Sequence, residues 1–270
     1  MMSPMKRMML ATVMLSAAAS AQAAGDLLVA PTRVVLDGPR GTELILKNNG
    51  TTTATYRISL ELKRMNADGT LSDIAPGAAT AKETATLAMI SYAPRRVTLP
   101  PNQPQAIRIG VRAPAGLADG EYRAHMLFRA IPEAVAPSAA ATTGQGLSIA
   151  LTPIYGVTIP IIVRRGNLSA AAAISDVKLV RDANVAQLAF SLTRTGDRSV
   201  YGRIRVMKPG STQPLYEARG IAVYPELPMR TVRLPLPAAI AAKLSGPVLV
   251  EYREDNDGGA LIARTDAVLR

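Results

Sequence analysis

The residue types that carry catalysis are sparse in this chain. Cysteine is absent and histidine occurs once, as His125. His125 lies in an alternating segment with no nucleophile beside it, so it reads as a strand residue rather than a base or metal ligand. No G-x-S-x-G elbow, H-E-x-x-H zinc signature or phosphate-binding loop occurs. The acids Glu254 and Asp255 adjoin a glycine-rich turn, but neighbouring strand residues face opposite sides and make a poor glycosidase pair. No enzymatic activity, metal or cofactor is expected. The chemistry on offer is backbone pairing and apolar burial, and it is concentrated in residues 146–165, GLSIALTPIYGVTIPIIVRR.

In that stretch Leu147, Ile149, Leu151, Pro153, Tyr155, Val157, Ile159 and Ile161 occupy the odd positions, and all are apolar. The even positions are mixed, with Ser148, Thr152 and Thr158 among them. Period 2 with β-branched residues is a strand pattern, and at fifteen residues it far exceeds the common strand of about 5–6. Pro153 and Pro160 mark it as a sheet edge, a bulge or a strand end. A long apolar edge invites aggregation unless another chain is meant to pair with it, and that is the function this stretch implies.

The elements that must hold such a strand are short, alternating segments separated by Gly, Pro, Asn and Asp turns. Strands are expected at 27–36, broken by Pro31, and at 43–47, 53–65, 90–99, 105–111 and 122–131. Residues 74–82 read as a surface loop with at most a turn of helix. The Ala-, Ser-, Thr- and Pro-rich residues 133–145 read as a flexible loop. A second set of strands follows at 174–180, 187–193, 201–207, 215–223, 231–236, 248–253 and 260–269, with one or two helical turns in 237–244. The expectation is an all-β chain with two antiparallel sandwiches, divided near residues 165–168 by a charged elbow.

Lys6 and Arg7, an apolar run from Met8 to Ala19, and Ala21-Gln22-Ala23 form a cleavable signal peptide over residues 1–23. That run is too short to span a bilayer, and no later stretch reaches 18 uninterrupted apolar residues, so stable membrane insertion is not expected. Without cysteine, the exported chain relies on packing alone. Loss of Lys6 and Arg7 changes the net charge from +11 to +9. Export and the lack of an aromatic stacking ladder argue against nucleic acid and leave an anionic surface or protein.

Four pieces then fall in order. They are Pro31-Thr32-Arg33-Val34-Val35-Leu36-Asp37-Gly38, Ala93-Pro94-Arg95-Arg96-Val97-Thr98-Leu99-Pro100-Pro101, residues 105–111, and Asp119-Gly120-Glu121-Tyr122 running to Phe128-Arg129-Ala130-Ile131-Pro132. Together they resemble the first domain of PapD-like periplasmic chaperones of the chaperone–usher pilus pathway.

The resemblance implies two immunoglobulin-like β-sandwich domains in a boomerang, residues 24–165 and 166–270, with residues 146–163 as a donor strand. Such chaperones lend that strand to a pilin subunit whose fold lacks one, then deliver the subunit to an outer-membrane usher. Here the plug would be Leu147, Ile149 and Leu151, with Tyr155 and Val157 further along, unless these positions pack only the chain's own core. Burying about four large aliphatics would supply roughly 6–12 kcal/mol before entropy costs. The exposed edge would also allow self-capping by dimerisation. Arg33 corresponds to the arginine that holds the subunit's C-terminal carboxylate.

The family's partner lysine would fall at Pro160, and no lysine occurs from Leu147 to Val163. Either Arg33 acts alone or Arg164 or Arg165 supplies the second cation. An acid–arginine–acid network at the elbow would comprise Glu121, Arg164 and Asp255, the last preferred to Asp257. The long loop before the strand lacks the cysteine pair of the branch that usually carries one, so a divergent branch fits best. The rival reading is a non-catalytic cell-envelope binding module that shares this layout.

Overall fold

The computed structural model describes residues 27–38, 40–132, 154–182 and 185–270. The expected signal peptide, the low-complexity loop and the plug residues Leu147, Ile149 and Leu151 lie outside them. Up to residue 165 the strands are β1 (Leu27–Ala30), β2 (Val34–Leu36), β3 (Thr42–Asn48), β4 (Ala54–Glu61), β5 (Lys63–Met65) and β6 (Leu71–Asp73). Helix α1 (Ala81–Met89) then precedes β7 (Ile90–Ala93), β8 (Arg96–Leu99), β9 (Pro104–Val111), β10 (Gly120–Ile131) and β11 (Gly156–Arg165). They build two facing sheets, β1-β3-β9-β7 and β2-β11-β10-β4-β8, with β5 and β6 as a separate hairpin.

Alternation makes the core. Leu44 and Leu46 of β3 and Ile107 and Ile109 of β9 point inward, and meet Tyr56 and Ile58 of β4, Met126 and Phe128 of β10, and Ile159 and Ile161 of β11.

The segments 27–36 and 90–99 are not single strands. In each the chain leaves one sheet after an Ala-Pro step, at Pro31 and Pro94, and re-enters in the other. Proline supplies no N–H, so a ladder ends there at little cost and the chain is released to the facing sheet. The expected strand at 53–65 is likewise divided into β4 and β5.

Helix α1 also departs from the loop expected up to Lys82. Thr80 caps it: its hydroxyl accepts from the Glu83 N–H at 3.2 Å, and Glu83 Oε2 accepts from the Thr80 N–H at 2.8 Å. Arg64 grips the same carboxylate at 2.7 and 2.8 Å and holds its pKa down at about 2.

The second half contains β12 (Ala170–Asp182), β13 (Val185–Gly196), β14 (Val200–Met207), β15 (Tyr216–Val223), β16 (Met229–Leu236), the one-turn α2 (Ala238–Ala241), β17 (Gly246–Glu254) and β18 (Leu261–Leu269). Its sheets, β12-β13-β16 and β15-β14-β17-β18, enclose a separate core that includes Leu188, Phe190, Leu192, Ile204, Val206, Val250 and Tyr252. The chain is therefore two β-sandwiches with distinct cores. At the elbow between them Gly166 has φ +80°, and a Cβ there would lie 2.3 Å from the Asp119 carboxylate. No helix among the described residues is long and apolar enough to cross a membrane.

Candidate functional site

Strand β11 pairs antiparallel with β10 along its whole length, from Gly156 opposite Arg129 to Arg165 opposite Gly120. Among the described residues its other edge is covered only by β2, which runs parallel to it at Ile161, Ile162 and Val163. From Gly156 to Pro160 no strand covers that edge among the described residues. Pairing with β10 continues past the strand's start, because the Ala130 N–H donates to the Tyr155 carbonyl at 2.9 Å. Ile154 and Tyr155 stand there 49% and 44% exposed.

Side-chain parity divides the strand's duties. Ile159, Ile161 and Val163 are buried in the first core, and Val157 packs against it half-buried. Val157 therefore serves its own domain, whereas Tyr155, two residues earlier, is free of that core. The even residues turn to the opposite face. Ile162 is fully buried against Met65, Ala222 and Tyr224, between the two domains.

That face forms one wall of an interdomain cleft of about 210 Å3, lined among others by Arg33, Arg164, Arg198, Ser199, Tyr201 and Asp255. Arg33 directly precedes β2. Its Nη2 donates to Ser199 Oγ at 3.3 Å, and its guanidinium carbon sits 4.3 Å from the centre of the Tyr201 ring. Nη1 is buried and has no hydrogen-bond partner among the described residues. Burial draws the Arg33 pKa below its ordinary value, yet an arginine so placed stays charged. A planar fork with one arm unfilled is suited to a carboxylate.

Arg164 and Glu121 meet as the elbow pattern implies, with Nε 3.1 Å from Oε2. The third residue on that carboxylate is Ser199, whose N–H and hydroxyl both donate to Glu121 Oε2, at 3.0 and 2.9 Å. Asp255 lines the same cleft, but its ion pair is with Arg219 at 3.6 Å, and it accepts from the Gly220 N–H at 3.3 Å. Among the described residues no ion pair joins it to Arg164. Arg165 has the other strand parity and pairs with Asp119 at 3.5 Å, whereas Arg164 lines the cleft together with Arg33 and Arg198.

A second cluster spans the domains beside this one. Arg123 of β10 forks onto Glu226, whose Oε1 also accepts from the Met65 N–H at 2.9 Å. The Arg123 guanidinium lies 3.6 Å from the centre of the Tyr224 ring. Neither Ser199 nor the Arg123–Glu226 pair carries a local sequence signal, since each joins residues far apart in the chain.

No protein-family model matches the chain, and neither does any curated protein. Solved structures do. The YadV chaperone is similar at 13% identity and a TM-score of 0.46, over 90% of this chain and 100% of that one. The CsuC–CsuE chaperone–tip adhesion subunit complex from the archaic chaperone–usher Csu pili of Acinetobacter baumannii shows 10% identity and 0.45, over 90% and 97%. The Salmonella enterica complex of SafA pilin with the SafB chaperone shows 17% and 0.44, over 90% and 96%. These three structures contain chaperones, two of them in complex with a subunit.

Proposed function

We propose that this chain is a non-enzymatic periplasmic chaperone that lends the open edge of β11, and the apolar residues leading into it, to a pilin subunit with an incomplete sandwich. The observation that carries this is the edge itself: β2 stops pairing at Ile161, and the strand runs on with one flank uncovered among the described residues and Ile154 and Tyr155 exposed. A subunit lacking a strand presents two rows of unpaired N–H and C=O groups beside an apolar groove. An alternating strand meets both needs, its backbone joining the rows while Leu147, Ile149 and Leu151 fill the groove. Arg33, with its free Nη1, would take the subunit's C-terminal carboxylate and so set the register.

In this reading residues 1–23 direct export and are removed, residues 24–165 form the donor domain, and residues 166–270 form the second. The loaded chaperone passes its subunit to an outer-membrane usher, and the free one shields its edge by pairing with another copy.

Periplasmic co-expression with affinity capture tests the reading. The wild type should retain a subunit, whereas Ile149→Asp, Leu151→Asp and Arg33→Ala should lose it and keep a native circular-dichroism spectrum. If the aspartate variants unfold the chaperone itself, the strand belongs to its own core and the reading fails. Undiminished capture by Arg33→Ala would remove that residue from the site.

A further inference from the structure

On the outer face of the sheet that contains β11, three arginines stand in one cross-strand row. Arg129 of β10 is directly opposite Arg57 of β4, which is directly opposite Arg96 of β8. All three are exposed, and none has an ion pair among the described residues. The flanking rows bring no acid. Thr98, Thr55 and Ile131 lie on one side, and Ser59, Leu127 and Thr158 on the other.

Like charges directly opposite each other weaken a sheet. The same domain avoids this elsewhere: on the other sheet the exposed Arg108 is directly opposite Glu43, and the two pair at 2.9 Å. The arginine row thus loads the fold without serving it.

Its location indicates what it meets. Glu121, Arg123 and His125 of β10 share this face and pack against the second domain, and Arg129 lies four residues further on, about 13 Å along the strand. The row ends at Gly156, opposite Arg129 on the open edge of β11. A Cβ on Gly156 would come within 3.0 Å of Leu127 Cδ1, so no side chain there separates Arg129 from whatever pairs with the edge.

We infer that this row is an electrostatic docking surface for an acidic flank of the subunit bound along β11, with carboxylates beside the accepting groove completing the row past Gly156. The inference rests on the chaperone reading and adds the chemistry by which a subunit is selected. A second copy of this chain, at net +9 once the leader is gone, would leave the row uncompensated even where it caps the edge, whereas an acidic subunit neutralises it. A flat bilayer is kept off because the second domain stands on the same face.

The test compares the full mature chain with the variant Arg57→Thr/Arg96→Thr/Arg129→Thr, threonine being the residue already present in the neighbouring row. With hexaglutamate peptide at low ionic strength, the wild type should bind with shifts in the Nε–Hε signals of these arginines. The variant should bind about tenfold more weakly and melt no lower. In periplasmic co-expression the variant should retain less subunit than the wild type, the difference closing at about 1 M salt, where screening acts within about 3 Å. The single change Arg129→Gln should shift both readouts the same way, less far.

Equal subunit capture by wild type and variant overturns the inference, as does hexaglutamate binding that the substitutions leave unchanged. Binding through the row to phosphatidylglycerol vesicles but not to hexaglutamate overturns it in favour of a lipid. Failure of the chaperone reading is distinct, because the wild type itself then captures nothing.

Discussion

Ser199 gives both its backbone N–H and its hydroxyl to Glu121 Oε2, across the boundary between the two sandwiches. The same hydroxyl accepts from Arg33, and Arg164 lies 3.1 Å from that Glu121 oxygen. The cleft arginine and the elbow are therefore one hydrogen-bonded unit. With its side chain 1% exposed, Glu121 cannot be replaced by water without cost. Glu121→Ala should destabilise the protein by about 3 kcal/mol, because it leaves Arg164 uncompensated and the Ser199 N–H unpaired. Adding Arg164→Ala should cost less than the sum of the two single changes. Urea unfolding midpoints measure both, and strictly additive losses would show that the pair is not coupled.

Much of the fold was legible because alternation is a local property. Segments such as 187–193 and 201–207 coincide with strands whose inward residues, Leu188, Phe190, Leu192, Ile204 and Val206, make the core. Sheet membership is not local. Pro31 and Pro94 mark breaks in the sequence, but that the chain changes sheets there depends on partners such as Ile161, more than a hundred residues from Val34. Helix α1 was hidden by the Ala- and Thr-rich composition of 81–89, although Thr80-Ala81-Lys82-Glu83 is a capping-box signature. In the cleft, Arg33, Glu121 and Arg164 are reached from the sequence through its resemblance to a known family, not through any local pattern. A lone serine between two strands announces nothing, so Ser199 is absent from the expected network, while Asp255, expected beside Arg164, pairs with Arg219.

The capping box can be measured directly. Thr80→Ala removes the acceptor for the Glu83 N–H at the start of α1, and should cost about 1 kcal/mol. Thr80→Ser, which keeps the oxygen, should cost less. Equal losses in thermal melts would mean that packing of the threonine methyl, not the cap, is what matters.

Glu226 carries the second link between the sandwiches. Burial opposes its ionisation, but Arg123 outweighs burial and holds the carboxyl below its usual range. The Arg123 side chain is 8% exposed, so a neutral partner leaves a buried cation short of charge. Glu226→Gln should therefore lower stability by about 2–3 kcal/mol. With the link weakened, the sandwiches should begin to unfold separately, splitting a single calorimetric transition into two. An unshifted single transition would show that the remaining contacts suffice, such as the Thr231 N–H donating to the Ala67 carbonyl at 2.7 Å.

His125 makes acid the natural probe of the same interface. Its ring meets Tyr224 edge-on, with centroids 6.5 Å apart, and neither ring nitrogen has a hydrogen-bond partner among the described residues. Burial lowers its pKa to about 3, reinforced by Arg123 on its own strand and Lys63 on β5. Glu226 and Asp73 oppose this only in part, and Glu61 is the cross-strand neighbour on β4. The folded pKa thus lies below the unfolded value of about 6.5, and as pH falls the unfolded chain takes up the proton first. Stability should be level above about pH 6.5 and decline below it, by about 2 kcal/mol at pH 5. No other histidine titrates in that window. His125→Phe should flatten the decline between pH 7 and pH 5 in urea unfolding, and an equal decline in that variant would show that the proton binds elsewhere.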